Sequence, residues 1–120
     1  MCSFGKLYLI PSPIGAQTPS LSPEILPLIH ALRNFAVEEP RTARRFLSTL
    51  LMPIPIAELN LITLNKDSGI APIEASLELL RQGISLGIIS EAGMPGVADP
   101  GAELVARAHE AGIEVRPLVG

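Results

Sequence analysis

The stretch that decides the fold is residues 84–101, which read Ile-Ser-Leu-Gly-Ile-Ile-Ser-Glu-Ala-Gly-Met-Pro-Gly-Val-Ala-Asp-Pro-Gly. It opens as a short apolar run, typical of a buried strand, and continues as a loop of glycine, proline, small residues and acids until a helical pattern begins at Ala102. Loops that join a strand to the next helix usually have about 2 to 6 residues. Because this loop is longer and follows a buried strand, it indicates a ligand-binding loop.

The composition of this loop favours contact between its backbone and a ligand. Gly93 and Gly96 permit a close approach or a positive φ, and Pro95 and Pro100 stiffen the path of the chain. The thioether of Met94 either contacts the ligand or packs the loop against the core.

Apolar runs alternate with helical patterns on both sides of this stretch. The predicted strands are residues 6–10, 35–37, 61–64, 85–89 and 113–117. Helices are predicted from Pro23 or Pro27, over 42–51, from Pro72, and from Pro100 with Asp99 as its N-cap. The alternation predicts an α/β fold, with a five-stranded, mainly parallel sheet flanked by about four helices.

Composition limits the classes of function. The chain has 120 residues, 48% hydrophobic and 18% charged, which predicts one globular domain. A net charge of -3 gives no overall attraction to nucleic acid, so any basic site must be local. No apolar run approaches a membrane span, no signal peptide opens the chain, and Cys2, His30 and His109 offer no metal-ligand spacing. We therefore expect a cytoplasmic protein with no metal.

A second stiff turn, Pro-Ser-Pro-Ile-Gly at residues 11–15, follows the first predicted strand. In open parallel sheets ligands bind at the carboxyl ends of the strands, so this turn and the long loop either form two sides of a cofactor slot or are ordinary turns of an α/β protein. Neither turn matches the P-loop or the Gly-x-Gly-x-x-Gly fingerprint.

Charged residues follow the second predicted strand, in the order Glu38, Glu39, Pro40 and Arg41. An acid at this point holds a ribose hydroxyl, positions a substrate, or is a solvated strand end with a surface ion pair. The arginines at positions 41, 44 and 45 either bind phosphates or form a solvated helix face.

Three segments together resemble the tetrapyrrole methylase family, in its branch of small-subunit ribosomal RNA cytidine 2'-O-methyltransferases I. Residues 5–15, Gly-Lys-Leu-Tyr-Leu-Ile-Pro-Ser-Pro-Ile-Gly, resemble the opening of that branch. Residues 38–42, Glu-Glu-Pro-Arg-Thr, are similar to its Glu-Asp-Thr-Arg, and residues 90–101 to its Ser-Asp-Ala-Gly-Thr-Pro-Gly-x-x-Asp-Pro-Gly. Residues 115–120 resemble the segment before its interdomain hinge, so the resemblance covers the whole chain but only the family's amino-terminal domain.

The resemblance implies an S-adenosylmethionine-dependent methyltransferase that acts on ribosomal RNA as a homodimer. It implies that residues 1–120 form the amino-terminal cofactor-cleft domain and that a second domain is missing after residue 120. The cofactor-binding residues that it implies are Pro13, Ile14, Gly15, Ala92, Gly93, Met94 and Pro95. The sequence departs from the family pattern at Pro40, Glu91 and Met94, where the family has Thr, Asp and Thr.

Methyl transfer from a sulfonium is an in-line displacement, to which positioning and desolvation contribute much of the catalysis. If the acceptor is a ribose 2'-hydroxyl, Glu39 is the candidate base and Arg41 the candidate anchor for phosphate or substrate, although a base outside this chain is an equal alternative. The rival functions are a C-methylase of porphyrin or corrin precursors, a non-catalytic nucleotide-binding domain, and a truncated remnant that is inactive by itself.

Overall fold

Strands and helices alternate along the chain in the computed structural model, which describes residues 4–12, 24–64, 67, 69–91 and 100–118. The strands are β1 (Leu7–Ser12), β2 (Asn34–Val37), β3 (Asn60–Thr63), β4 (Leu86–Glu91) and β5 (Val115–Pro117). The helices are α1 (Leu26–His30), α2 (Pro40–Ser48), α3 (Ala71–Arg81) and α4 (Pro100–Glu110), and a 3-10 turn covers Ile56–Glu58. All five strands are parallel in the order β3-β2-β4-β1-β5, which confirms the predicted α/β fold.

The two faces of the sheet are covered by different helices. Along β2, the side chains of Phe35 and Val37 join the core beneath α1 and α2, whereas Ala36 joins the core beneath α3 and α4. Each core contains fully buried helix residues, such as Leu47 of α2 and Leu104 of α4. Helices that follow β1 and β2 therefore lie on one face, and helices that follow β3 and β4 lie on the other.

Strand β1 extends two residues beyond the predicted range and includes Pro11. The Leu7 N–H donates to the Glu114 carbonyl at 2.9 Å, and the Leu9 carbonyl accepts from the Leu118 N–H at 2.9 Å, so alternate residues of β1 direct their backbone groups towards β5. Pro11 continues this alternation. Its missing N–H is on the β5 side, and pairing with β4 continues through Pro11 and Ser12.

Helix boundaries differ from the predicted ones where proline or a cap decides them. Helix α1 begins at Leu26, because Pro27 is tolerated in a first turn but not further inside a helix. Helix α2 begins at Pro40 rather than at residue 42, because Glu39 caps it and proline suits the first helical position. It ends at Ser48, and Leu51 beyond it has a φ of 53° and is 84% exposed.

Strand boundaries shift by one or two residues. Strand β5 begins at Val115 rather than at residue 113, because the Ile113 N–H donates to the Ala108 carbonyl at 2.9 Å and is not available to the sheet. Strand β3 begins one residue earlier than predicted, and β4 begins one residue later and ends two residues later.

A close approach of two chain segments fixes the start of β1. The Gly5 N–H donates to the Leu80 carbonyl at 2.7 Å, and a Cβ atom at Gly5 would collide with the backbone carbonyl of Ile84. Only glycine fits there without moving the backbone.

Candidate functional site

The carboxyl ends of β1 and β4 lie side by side. These parallel strands pair along their whole length, from Leu7 opposite Leu86 to Ser12 opposite Glu91. Neighbouring strands are about 5 Å apart, so Ser12 and Glu91, the last described residues before segments 13–23 and 92–99, lie side by side at the same edge. The sequence-based expectation that both loops begin at one edge of the sheet is confirmed for the ends of their strands.

The connections after these two strands run to opposite faces of the sheet. Helix α1, after β1, contributes Ile29 to the core that contains Phe35, whereas α4, after β4, contributes Leu104 to the core that contains Leu86. Adjacent strands whose connections diverge in this way leave a crevice at their carboxyl ends, which is where open α/β sheets bind ligands. We call the ends of β1, β4 and β2 the carboxyl edge.

The implied cofactor-binding residues belong to the two segments that leave this crevice. Pro13, Ile14 and Gly15, and Ala92, Gly93, Met94 and Pro95, lie outside the described residues. So does Asp99, the predicted cap of α4. The contacts of these residues stay predictions. A cofactor slot formed by the two loops requires that the carboxyl ends of β1 and β4 lie side by side, and they do.

The other neighbour of β4 is β2, and sequence reasoning missed this adjacency. Val37, the last residue of β2, pairs with Ile89, two residues before β4 ends. Glu38 and Glu39 therefore enter the carboxyl edge directly beside the start of the long loop. Local patterns do not reveal strand order, so no signal in the acidic segment itself indicated which loop it would meet.

Glu39 and Arg41 are joined by a helix cap. Glu39 has an extended backbone, with φ -129° and ψ 107°, and its Oε1 accepts a hydrogen bond from the Arg41 N–H at 3.0 Å. This bond satisfies one of the free N–H groups at the start of α2. Both side chains are exposed at the carboxyl edge, so a structural role for Glu39 accompanies the predicted catalytic one.

A shallow pocket lies at the opposite, amino edge of the sheet, and two of its polar side chains, Ser85 and Arg33, already have hydrogen-bond partners. The Ser85 Oγ accepts from the Lys6 N–H at 3.0 Å, and the Arg33 guanidinium donates to the His30 carbonyl at 2.7 Å. The pocket is lined by Tyr8, Leu28, Ala31, Leu32, Arg33, Asn34, Ile84 and Ser85. It offers no group for chemistry comparable with the carboxyl edge.

The described residues contain neither a metal-binding group nor a membrane-spanning helix. No three His, Cys, Asp or Glu side chains in the described part of the chain are grouped so that they could hold a metal ion. Among the described helices, none has the length and apolar character needed to cross a membrane.

Comparison with known proteins gives a consistent set of relatives, although no family model matches the chain. Proteins named Ribosomal RNA small subunit methyltransferase I are 30% identical over 116 residues in Leptospira biflexa, 33% over 116 in Micromonospora olivasterospora and 33% over 118 in Escherichia coli O157:H7. These alignments cover 97%, 97% and 98% of the chain, and 46%, 35% and 39% of the relatives. The chain thus spans less than half the length of these relatives, and the resemblance to this group is confirmed.

Proposed function

We propose that this chain, which is similar over nearly all of its length to the small-subunit ribosomal RNA methyltransferases I, forms one wall of the cofactor cleft of an S-adenosylmethionine-dependent methyltransferase. The proposed acceptor is a ribose 2'-hydroxyl of ribosomal RNA. A second domain after residue 120 would form the other wall, and the intact enzyme would act as a cytoplasmic homodimer.

The observation that supports this proposal best is the pairing of Ser12 with Glu91. Ser12 and Glu91 are the last residues before the two segments that resemble the family's cofactor loops, and they end adjacent strands whose helices diverge to leave a crevice. Two loops so arranged can hold a folded ligand between their backbones. An arrangement with the strands antiparallel would have separated them by the length of the sheet.

Within the proposed site, each chain segment has a distinct task. The bound cofactor supplies a methyl group on a positively charged sulfur. Segments 13–15 and 92–95 would hold it through their backbones and exclude water, which would favour an in-line displacement. Glu39, two residues beyond the strand that pairs with β4, would accept the proton of the ribose hydroxyl at its carboxylate. Arg41 anchors a neighbouring phosphate through its guanidinium.

Calorimetry with S-adenosylhomocysteine and with NAD, on the intact enzyme that contains this chain, tests the cofactor. We expect binding of S-adenosylhomocysteine only, and weaker binding in Gly93→Val, because added bulk in the long loop blocks approach to its backbone. Ala57→Val is the matched control, since Ala57 is exposed in the turn before β3, at the amino edge. Binding of NAD alone would show a nucleotide-binding domain and overturn the proposal.

Methyl transfer to small-subunit ribosomal RNA tests the acceptor. The intact enzyme that contains this chain is incubated with S-adenosylmethionine labelled in its methyl group, because the chain forms only one wall of the proposed cleft, and the label is expected in ribose. Label in a carboxylate-rich tetrapyrrole, with none in RNA, would assign the chain to the methylases of porphyrin or corrin precursors instead.

A further inference from the structure

The arginines of this chain fall into two groups. Those outside α2 are each engaged with another described residue. Arg33 donates to the His30 and Leu32 carbonyls at 2.7 and 3.1 Å, Arg81 lies 3.9 Å from Glu78, Arg107 lies 3.0 Å from Glu103, and Arg116 lies 3.3 Å from Glu114. These four side chains brace the fold or balance a neighbouring acid.

The arginines of α2 behave differently. Arg41, Arg44 and Arg45 are exposed, and none of their guanidinium groups forms an ion pair or hydrogen bond with another residue in the described ranges. No acid occurs between residues 40 and 57, and with Glu38 and Glu39, which immediately precede α2, residues 38–57 still carry a charge of +1. We call these three side chains the arginine face.

Charge is distributed unequally across the sheet. Helix α2 has three arginines and no acid. On the opposite face, α3 has Glu74 and Glu78 against Arg81, and α4 has Glu103 and Glu110 against Arg107, which makes each of these helices -1 with neutral histidine. A polyanion is therefore attracted to the face of α2 and repelled from the other, although the chain as a whole has a charge of -3.

Packing holds the arginine face outwards and next to the carboxyl edge. Ala43, Phe46 and Leu47 bury the inner side of α2 against the core. Arg41 is in the first turn, immediately after the end of β2, and Arg45 is about 6 Å further along the helix axis. The positive groups thus extend away from the proposed site in a short row.

We propose that the arginine face binds backbone phosphates of the RNA substrate and orients the strand towards the carboxyl edge, an inference that rests on the proposed function. The guanidinium fork matches phosphate oxygens in two places at once. The exposed residues of α2 are its three arginines, Thr42 and Ser48, with no apolar side chain among them. A membrane-surface helix or the centre of a protein interface would need apolar groups there.

The salt dependence of RNA binding tests this surface. The probe is a fluorescein-labelled fragment of small-subunit ribosomal RNA, and its fluorescence anisotropy gives the dissociation constant. The measurement is repeated at KCl concentrations from about 0.05 to about 0.5 M, a roughly tenfold range of salt. The variant Arg44→Gln/Arg45→Gln removes two charges and keeps good helix formers. Arg81→Gln/Arg107→Gln removes the same charge from the opposite face and is the control.

Each phosphate contact contributes about 0.7 to the slope of log K against log salt for a single strand. Loss of two contacts therefore lowers the slope by about 1.4. If the wild type and the double variant bind RNA equally at about 1 M salt, this difference in slope makes the variant bind roughly 25-fold more weakly at about 0.1 M. The control is expected to keep the wild-type slope. An unchanged slope in Arg44→Gln/Arg45→Gln, or no RNA binding by the wild-type chain, would overturn the inference.

Two further measurements separate the possible failures. Polyglutamate is added as a competitor at a carboxylate concentration equal to the phosphate concentration of the RNA. Displacement of the RNA under this condition would identify an acidic protein as the better partner and contradict the inference. Calorimetry with S-adenosylhomocysteine is repeated on both double variants, where unchanged binding is expected. An intact enzyme containing this chain that binds RNA through α2 but no S-adenosylhomocysteine would contradict the proposed function and leave the arginine face as an RNA-binding surface.

Discussion

Truncation of Glu39 separates its two roles, because one is a hydrogen bond to backbone and the other requires a carboxylate. Glu39→Ala removes the 3.0 Å bond to the Arg41 N–H and little buried surface, since the side chain is exposed. Loss of an N-cap costs about 1 kcal/mol. The inner side of α2 belongs to the core, so the cost falls on the whole domain and lowers its melting temperature by about 4 °C.

Replacement by serine or aspartate retains the cap and changes the chemistry. Serine and aspartate both cap helices well, so the free energies of unfolding of Glu39→Ser and Glu39→Asp are expected to lie within about 0.5 kcal/mol of the wild-type value. If Glu39 is the base, methyl transfer falls by about 10²-fold or more in the alanine and serine variants alike, and aspartate restores part of it. Thermal unfolding followed by circular dichroism gives stability, and release of labelled methyl into RNA gives activity.

Glu38→Ala is the matched control, because it removes the same charge from the exposed neighbouring position. It is expected to leave both stability and methyl transfer close to wild type. Wild-type activity in Glu39→Ser would refute the assignment of Glu39 as base. Wild-type stability in Glu39→Ala would refute the energetic account of the cap.

Three further substitutions test the packing and backbone of the fold by urea unfolding. Gly5→Ala is expected to lower the free energy of unfolding by about 3 kcal/mol, because the added Cβ collides with the Ile84 carbonyl. A decrease below about 1 kcal/mol would show that the backbone shifts easily at this point. Leu51→Gly is expected to raise the free energy of unfolding by about 0.5 to 1 kcal/mol, because glycine adopts the positive φ without strain and this gain exceeds the cost of its greater freedom in the unfolded chain. Little buried surface is lost, since Leu51 is 84% exposed. A destabilised variant would instead indicate that Leu51 packs in the native state. Ser76→Ala is expected to stay within about 0.5 kcal/mol, since the buried hydroxyl donates to the Pro72 carbonyl of its own helix at 2.8 Å; a larger loss would reveal a further partner.

The fold class could be predicted because its signals are local. Apolar runs such as residues 85–89 are buried strands, and Gly112, with a φ of 80°, ends α4 as its position in the pattern indicates. Boundaries were less predictable where a residue has two structural uses. Pro11 was expected to end β1, yet it pairs with Ser90 because its nitrogen is on the β5 side. Glu39 was expected at a strand end, yet its side chain starts a helix.

The candidate site could be predicted in outline, since the two turns follow strands whose carboxyl ends meet in any parallel sheet. The adjacency of β1 and β4 could not be predicted, because local sequence patterns do not determine strand order. Strand order depends on packing between segments that are distant in the sequence. The partners of the arginines are similarly invisible in the sequence. Arg41 and Arg107 both lie near acids along the chain, but only Arg107 forms an ion pair with a described side chain.

The placement of β4 between β1 and β2 constrains the order in which the chain can assemble. Strands β1 and β2 have no ladder with each other, and each pairs with β4. During synthesis β2 can pair with β3, but β1 has no partner and cannot join that pair until residue 91 has left the ribosome. Sequence-distant pairing of this kind slows folding and exposes nascent chains to aggregation, so we expect this protein to depend on chaperones until its fourth strand arrives.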